Sequence, residues 1–205
     1  MSDPALFRLR FRFRKQGRLA MLSHLEVAHA LERAVRRANL PFAVSCGFSP
    51  HMRIAFGAAL PVGVGGTQEI FDLLLKEYVA PQKALAALQA TSVPEMMPYE
   101  AYYVEHNATA ASVVYPISDY EAILTEPVQE LCLPETITVI RKKKEKVITV
   151  ADYLLTGPQI EGQTVRFTLE AKNTGSLRPD LLMSECLKIT DTTARVSSIT
   201  RVDQR

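Results

Sequence analysis

Phe7-Arg8-Leu9-Arg10-Phe11-Arg12-Phe13-Arg14 sets four arginines in strict alternation with apolar residues. Strand side chains point to opposite faces with period two, so the run predicts a β-strand over about 6–15. Phe7, Leu9, Phe11 and Phe13 fall on one face and Arg8, Arg10, Arg12 and Arg14 on the other. One face makes core. The other is a guanidinium ladder, whose mutual repulsion must be relieved by water, carboxylates or a polyanion. Two readings stay open at this point: a solvated sheet face with acidic neighbours, or a phosphate-binding surface, for RNA above all.

Downstream, Gln16-Gly17 turns the chain, and a helix is expected over about 24–39. Ser23 and Glu26 are spaced as a capping box at its start. Val27, Ala28, Leu31, Ala34, Val35 and Ala38 form its apolar stripe, and Glu26, His29, Arg33, Arg36 and Arg37 its polar side. Pro41 stops it. Residues 42–46 read as extended, 47–51 as a loop and 53–56 as a strand. The run 68–79 fits a helix or a strand by its apolar spacing; strand is chosen because it completes a βαββαβ order before a helix that opens on Pro81.

Beyond that come a strand and a linker over 94–111. Strands are expected at 118–125 and 165–171, extended chain at 137–150 and a helix over 179–187. The basic run from Arg141 to Lys146 reads first as a solvated hairpin tip and second as a phosphate contact. The expected fold class is α+β: two ferredoxin-like (βαββαβ-type) sandwich halves with antiparallel sheets, one over 1–107 (the basic N-terminal domain) and one over 108–205.

Charge is distributed unevenly. Residues 1–60 hold ten Arg or Lys against three Asp or Glu, a net +7, whereas 61–205 hold fourteen against nineteen, a net −5. A basic first third suits a polyanionic partner, though the two parts can also neutralise each other. The three cysteines, Cys46, Cys132 and Cys186, form no CxxC pair, which points to reduced thiols and a cytoplasmic protein. Cys46 reads as a buried, inert thiol. No secretory signal, membrane span, metal motif or cofactor motif is expected, and Gly63, Gly65 and Gly66 match no phosphate-binding glycine pattern.

The densest stretch is 22–63. It runs Leu22-Ser23-His24-Leu25-Glu26, then Arg33-Ala34-Val35-Arg36-Arg37-Ala38-Asn39-Leu40-Pro41, then Ser45-Cys46-Gly47-Phe48-Ser49-Pro50-His51 and Leu60-Pro61-Val62-Gly63. It resembles the DUF2344, or radical SAM-linked protein, family, with its SHLD helix start, R-A-x-R-R-A helix end, GFNPHP loop and LPxG turn. Glu26 replaces the family's aspartate, Ser49 its asparagine and Met52 its second loop proline, and Gly65-Gly66 stands where the family tends to Glu-Ser. Gly175-Ser176-Leu177-Arg178-Pro179 matches a weaker family feature. The resemblance implies a radical SAM protein as partner but no particular reaction. This chain has no C-x-x-x-C-x-x-C motif and cannot itself hold that iron–sulfur cluster.

The leading functional expectation is an accessory protein of a radical SAM protein that binds RNA, or presents a substrate, through a basic sheet and helix surface. The residues assigned to that surface are Arg8, Arg10, Arg12, Arg14, His24, Arg33, Arg36, Arg37, Phe48, His51 and Arg53. Phe48 reads first as a loop anchor into the core and second as a stacking platform. His51 can stack on a base, touch a phosphate or only fix its loop. No catalytic motif is recognised, so the balance leans away from an enzyme. One alternative is a metal-independent RNA endonuclease with ferredoxin-like halves using His24 and His51. Another is a protein-interaction scaffold.

Overall fold

The computed structural model describes residues 6–141 and 144–205. Its contacts group the chain into two units, residues up to 62 with 66–115, and 63–65 with 116–205. The fold is mixed α+β with antiparallel strands.

The first unit contains β1 (Phe7–Lys15), α1 (His24–Arg37), β2 (Ile54–Phe56), β3 (Val64–Leu75), α2 (Pro81–Gln89), β4 (Pro98–Val104) and the single turn α3 (Ala111–Val114). β1 is the centre. It pairs antiparallel with β3, Leu9 opposite Leu73 and Phe11 opposite Phe71, and with β4, Phe11 opposite Ala101. β3 pairs on its other side with β2, giving the order β4-β1-β3-β2.

Residues 68–75 are strand, and their ambiguity in the sequence has a physical cause. Phe71, Leu73 and Leu75 on one face and Ile70 and Asp72 on the other are all buried. A strand covered on both faces is apolar on both, and a continuous apolar run imitates helical spacing.

The apolar face of β1 carries the core. Leu9, Phe11 and Phe13 pack with Phe71, Leu73 and Leu75 against Val27, Leu31, Ala34 and Val35 of α1 and Ala84, Leu85 and Leu88 of α2. The Phe11 and Phe71 rings stack at 4.9 Å, and Phe13 meets Phe71 edge-on at 5.7 Å. α1 begins on the expected capping box: the Glu26 N–H donates to Ser23 Oγ at 3.4 Å, and the Ser23 N–H donates to Glu26 Oε2 at 2.8 Å. That backbone hydrogen bond, with a second from the Ser23 hydroxyl, holds the Glu26 carboxyl below its ordinary pKa.

The second unit contains β5 (Ile117–Leu124), β6 (Thr136–Arg141), β7 (Lys144–Thr149), β8 (Leu154–Glu161), β9 (Thr164–Glu170), α4 (Pro179–Ile189) and β10 (Val196–Gln204). Four strands are ordered β10-β5-β9-β8, and β6 and β7 form a separate two-stranded ribbon. The strict burial alternation of β5 puts Tyr120, Ala122 and Leu124 inward, and Tyr120 stacks on Phe167 of β9 at 5.5 Å. α4 buries Leu182, Met183, Cys186 and Leu187 and packs on β10.

The element order here has one long helix where a βαββαβ unit has two. Strands β8 and β10 were not foreseen in the sequence. β8 carries Gly157-Pro158 in its middle and β10 is mostly polar, so neither shows a strand-like apolar alternation. Of the basic run, Lys142 and Lys143 and the side chains of Arg141 and Lys144 lie outside the described residues.

Phe71 touches both Phe11 and Phe13 at zero exposure. Phe71→Ala is expected to cost about 3–5 kcal/mol, the range for removing a buried phenylalanine. Urea unfolding followed by circular dichroism reads this out, and a loss below about 1 kcal/mol would show that the ring stack is not central to the core.

Candidate functional site

The four ladder arginines do share one face of the sheet, but they do not form an outward platform. Asp72 of β3 lies opposite Arg10 and beside Arg8. Arg10 Nε donates to Asp72 Oδ1 at 2.7 Å and Arg10 Nη2 to Oδ2 at 3.0 Å. Arg8 donates to the same Oδ2 from Nε at 2.9 Å and Nη2 at 2.6 Å. Arg10 is 4 % exposed and Asp72 3 %. The hydrogen bonds and charge of Asp72 raise the Arg10 pKa against the cost of burial. Arg12 meets Glu100 at 3.2 Å and Gln68 at 2.7 Å. Burial opposes its charge, yet hydrogen bonding and attraction to Tyr102 leave its pKa raised. Only Arg14 is exposed, over the ring of Tyr99 at 5.5 Å.

A strap explains the cover. After β4, residues 105–115 lead from that sheet edge to α3, which packs on β2 at the opposite edge. On the way the Ala108 carbonyl accepts a hydrogen bond from Arg8 Nη1. At its end the Tyr115 ring lies under both Arg10 and Arg12, at 5.8 and 5.9 Å from their guanidinium carbons. Burial, followed by the hydrogen bond to Tyr115, pushes the Tyr102 phenol up. The strap carries no apolar run or charge signal that would reveal its path in the sequence.

The helix arginines belong to another surface. α1 packs on the phenylalanine face of the sheet, so Arg33, Arg36 and Arg37 stand on the layer opposite the ladder. All three are exposed. Arg36 lies over Phe42 at 5.0 Å, and Arg37 Nη2 donates to the Thr91 carbonyl at 2.7 Å. Arg33 and Arg37 line a shallow groove with Ser92 and Val93. The single basic platform expected from the sequence is therefore divided between two faces. His24 is half-buried with its ring edge-on to Phe56 at 5.2 Å, and it lines a small pocket with the buried Lys15 and Glu69.

The remaining assigned residues converge. The segments 42–45 and 51–54 run side by side: Val44 bridges Met52, the Ser45 N–H donates to the His51 carbonyl at 2.8 Å, and the His51 N–H donates to Ser45 Oγ at 3.0 Å. The Arg53 N–H donates to the Ala43 carbonyl at 2.8 Å, and the Arg53 carbonyl accepts from Leu74 of β3 at 3.0 Å. This hairpin holds up the loop Cys46-Gly47-Phe48-Ser49-Pro50. Gly47, at φ +128°, takes a turn that side-chain-bearing residues rarely adopt. Phe48 is fully exposed at the tip rather than anchored in the core, and Cys46 is exposed rather than buried. His51 is exposed, with Nε2 at 3.4 Å from Ser49 Oγ.

At the foot of the loop lies an open groove of about 470 Å³. Its floor is Arg8, Asp72, Leu74, Ile54 and Ala55; Ser45, Met52 and Arg53 line it from the hairpin and His106 from the strap. Among the described residues the Arg53 guanidinium has no carboxylate partner. His106 was read in the sequence only as part of a linker; nothing local marks it, because the strap alone brings it here.

A family profile described as "Uncharacterized protein conserved in bacteria (DUF2344)" matches residues 8–179. The chain belongs to that family. The resemblance drawn from residues 22–63 thus extends over most of this DUF2344 chain. No curated protein matches its sequence. Among solved structures, a chain of a Cbf5-Nop10-Gar1 complex is similar at 14% identity and TM-score 0.46, with 96% of this chain and 48% of that one covered. A chain in a structure of H/ACA RNP bound to a substrate RNA containing 2'-deoxyuridine is similar at 13% identity and TM-score 0.45, over 97% and 47%. An unknown protein from Galdieria sulphuraria is similar at 10% identity and TM-score 0.29, over 95% and 99%. The DUF2344 chain spans about half the length of the first two, and likenesses this distant carry no argument about its function.

Among the described residues of the DUF2344 chain no group of three or more His, Cys, Asp or Glu is placed to hold a metal ion. No described helix is long and apolar enough to cross a membrane. Burial pushes the Cys186 thiol up to about 11.

Asp72→Asn is expected to destabilise the protein by about 3–5 kcal/mol, because it leaves two guanidiniums without their carboxylate. Arg14→Ala, at an exposed position on β1, is expected to stay within about 0.5 kcal/mol. Parallel urea titrations of the two variants test this; equal midpoints would show that Asp72 does not organise the face.

Proposed function

We propose that this DUF2344 chain is a non-catalytic RNA-binding module, working in the cytoplasm with a radical SAM protein. The single observation that carries the RNA reading is a fully exposed phenylalanine, Phe48, on a hairpin whose foot borders a groove with an uncompensated guanidinium. A base stacks on Phe48, and Arg53, Arg8 and His106 meet the phosphates. His51, beside the tip, offers a second stacking or hydrogen-bonding group. In this reading Arg10 and Arg12 hold the sheet together, and Arg14, Arg33, Arg36, Arg37 and His24 are peripheral. The partner is inferred from the resemblance of residues 22–63.

The first unit is read as a ferredoxin-like sandwich, which its element order and its strand order β4-β1-β3-β2 support. The second unit is read as a separate α+β domain whose boundary lies near the β4–β5 connection.

Fluorescence anisotropy with a labelled single-stranded RNA decamer at two salt concentrations tests the binding reading. Binding is expected at low salt and should weaken as salt rises. Phe48→Ala should lose about 1–3 kcal/mol of affinity, the usual worth of one stacked base. Arg53→Ala should flatten the salt dependence by about 0.7 in the log–log slope, the loss of one phosphate contact to a single strand. No binding at low salt, or affinity untouched by either substitution, would reject the reading in favour of a protein-interaction scaffold. For the partner, co-elution with a radical SAM protein from the same genome on a sizing column is expected, and separate elution rejects it.

A further inference from the structure

Charge in the groove is out of balance in a way that specifies its ligand further. Arg8 and Arg10 share the one carboxylate of Asp72, and Arg53 has none among the described residues. Arg8 and Arg53 line the groove against Asp72, and Arg10, buried outside the lining, shares that carboxylate, so the three guanidiniums and one carboxylate leave a net +2. An internal phosphodiester brings one negative charge. A terminal phosphomonoester brings about −1.5 to −2 at neutral pH, together with three strong acceptor oxygens.

The donors are present as well. Arg8 uses three of its five N–H groups, two on Asp72 and one on Ala108, and two remain. Arg53 keeps all five, since its side chain has no hydrogen-bond partner among the described residues. Ser45 Oγ accepts from the His51 N–H, so its own hydroxyl proton is available. The His106 ring is exposed and has no partner among the described residues.

We propose that the groove is a receptor for the terminal phosphate of an RNA strand. The inference rests on the RNA reading above and adds the end-specificity. A volume of about 470 Å³ suits one small ligand, such as a nucleotide, rather than a continuous strand. Ser45 belongs both to the groove lining and to the foot of the 46–50 loop. A phosphate seated on Arg53 and Arg8 therefore leaves the attached nucleotide beside the loop that carries Phe48. Phosphate and stacking contacts thereby act on a single strand end.

The test uses the unmodified full chain and four labelled decamers of one sequence: 5'-phosphorylated, 3'-phosphorylated, phosphorylated at both ends, and hydroxyl at both ends. Unlabelled inorganic phosphate and a nucleoside 5'-monophosphate serve as competitors. The decamer with the accepted phosphate should bind about tenfold tighter than the all-hydroxyl one, the worth of one or two charge-assisted hydrogen bonds. The first two arms say which end is taken. Arg53→Gln and His106→Ala, checked for native circular dichroism, should erase the difference between decamers.

Equal affinity for all four decamers overturns the end-specific proposal and leaves the RNA reading standing. Binding of the monophosphate with no binding of any decamer overturns the RNA reading and keeps a phosphate site. An end preference that survives both substitutions overturns the assignment of this groove.

Discussion

One carboxylate organises the first unit. Asp72 accepts from two arginines that lie two residues apart on the neighbouring strand, with Asp72 and Arg10 nearly excluded from water and Arg8 half-buried. Without it the ladder face would bury like charges side by side, at a cost no hydrophobic contact nearby could offset. With it, the same alternation that gives β1 an apolar face gives it a second face that can also be covered. The central strand is then packed on both sides. This is why β1 and β3 are the most completely buried strands of the unit.

Neutralisation also relocates function. Of the arginines most conspicuous in the sequence, Arg10 and Arg12 are taken up by structure, through Asp72, Glu100, Gln68 and the ring of Tyr115, and Arg8 in part. What remains for a ligand is at the edge, where β2 is only three residues long and the preceding hairpin, rooted on Leu74 and Leu75 of β3, carries an exposed loop. A short edge strand beside a protruding loop offers backbone close to solvent and side chains held from below. Arg53 is placed by backbone hydrogen bonds to Ala43 and Leu74, so the guanidinium departs from a fixed root.

Much of this was legible. The period of two in β1, the capping box of α1 and the Pro81 start of α2 are local signals, and each is present where the sequence puts it. The strand at 68–75 was legible only through topology, since its own pattern allowed a helix. The grouping of Phe48, His51, Arg53 and Arg8 was partly readable, because three of the four lie within six residues. What was not readable depended on long-range cover. Nothing in a strand's sequence says whether its polar face will be roofed, and the roof here is a stretch of small and polar residues with no periodicity. The same blindness hid His106, misplaced Phe48 as a core anchor and made one platform of arginines that two layers of side chains keep apart. In the second unit, β8 and β10 were missed because glycine, proline and polar residues carry no alternation.

The strap has a temporal consequence. Arg8 and Arg10 leave the ribosome more than sixty residues ahead of Asp72, and Arg8 leaves a hundred ahead of Ala108. During translation the nascent chain therefore carries a naked tetra-arginine strand whose partners have not yet been made. Contacts this distant along the chain form late and slowly. For that interval the strand is an unneutralised polycation, and the arrival of β3, β4 and the strap is what neutralises it.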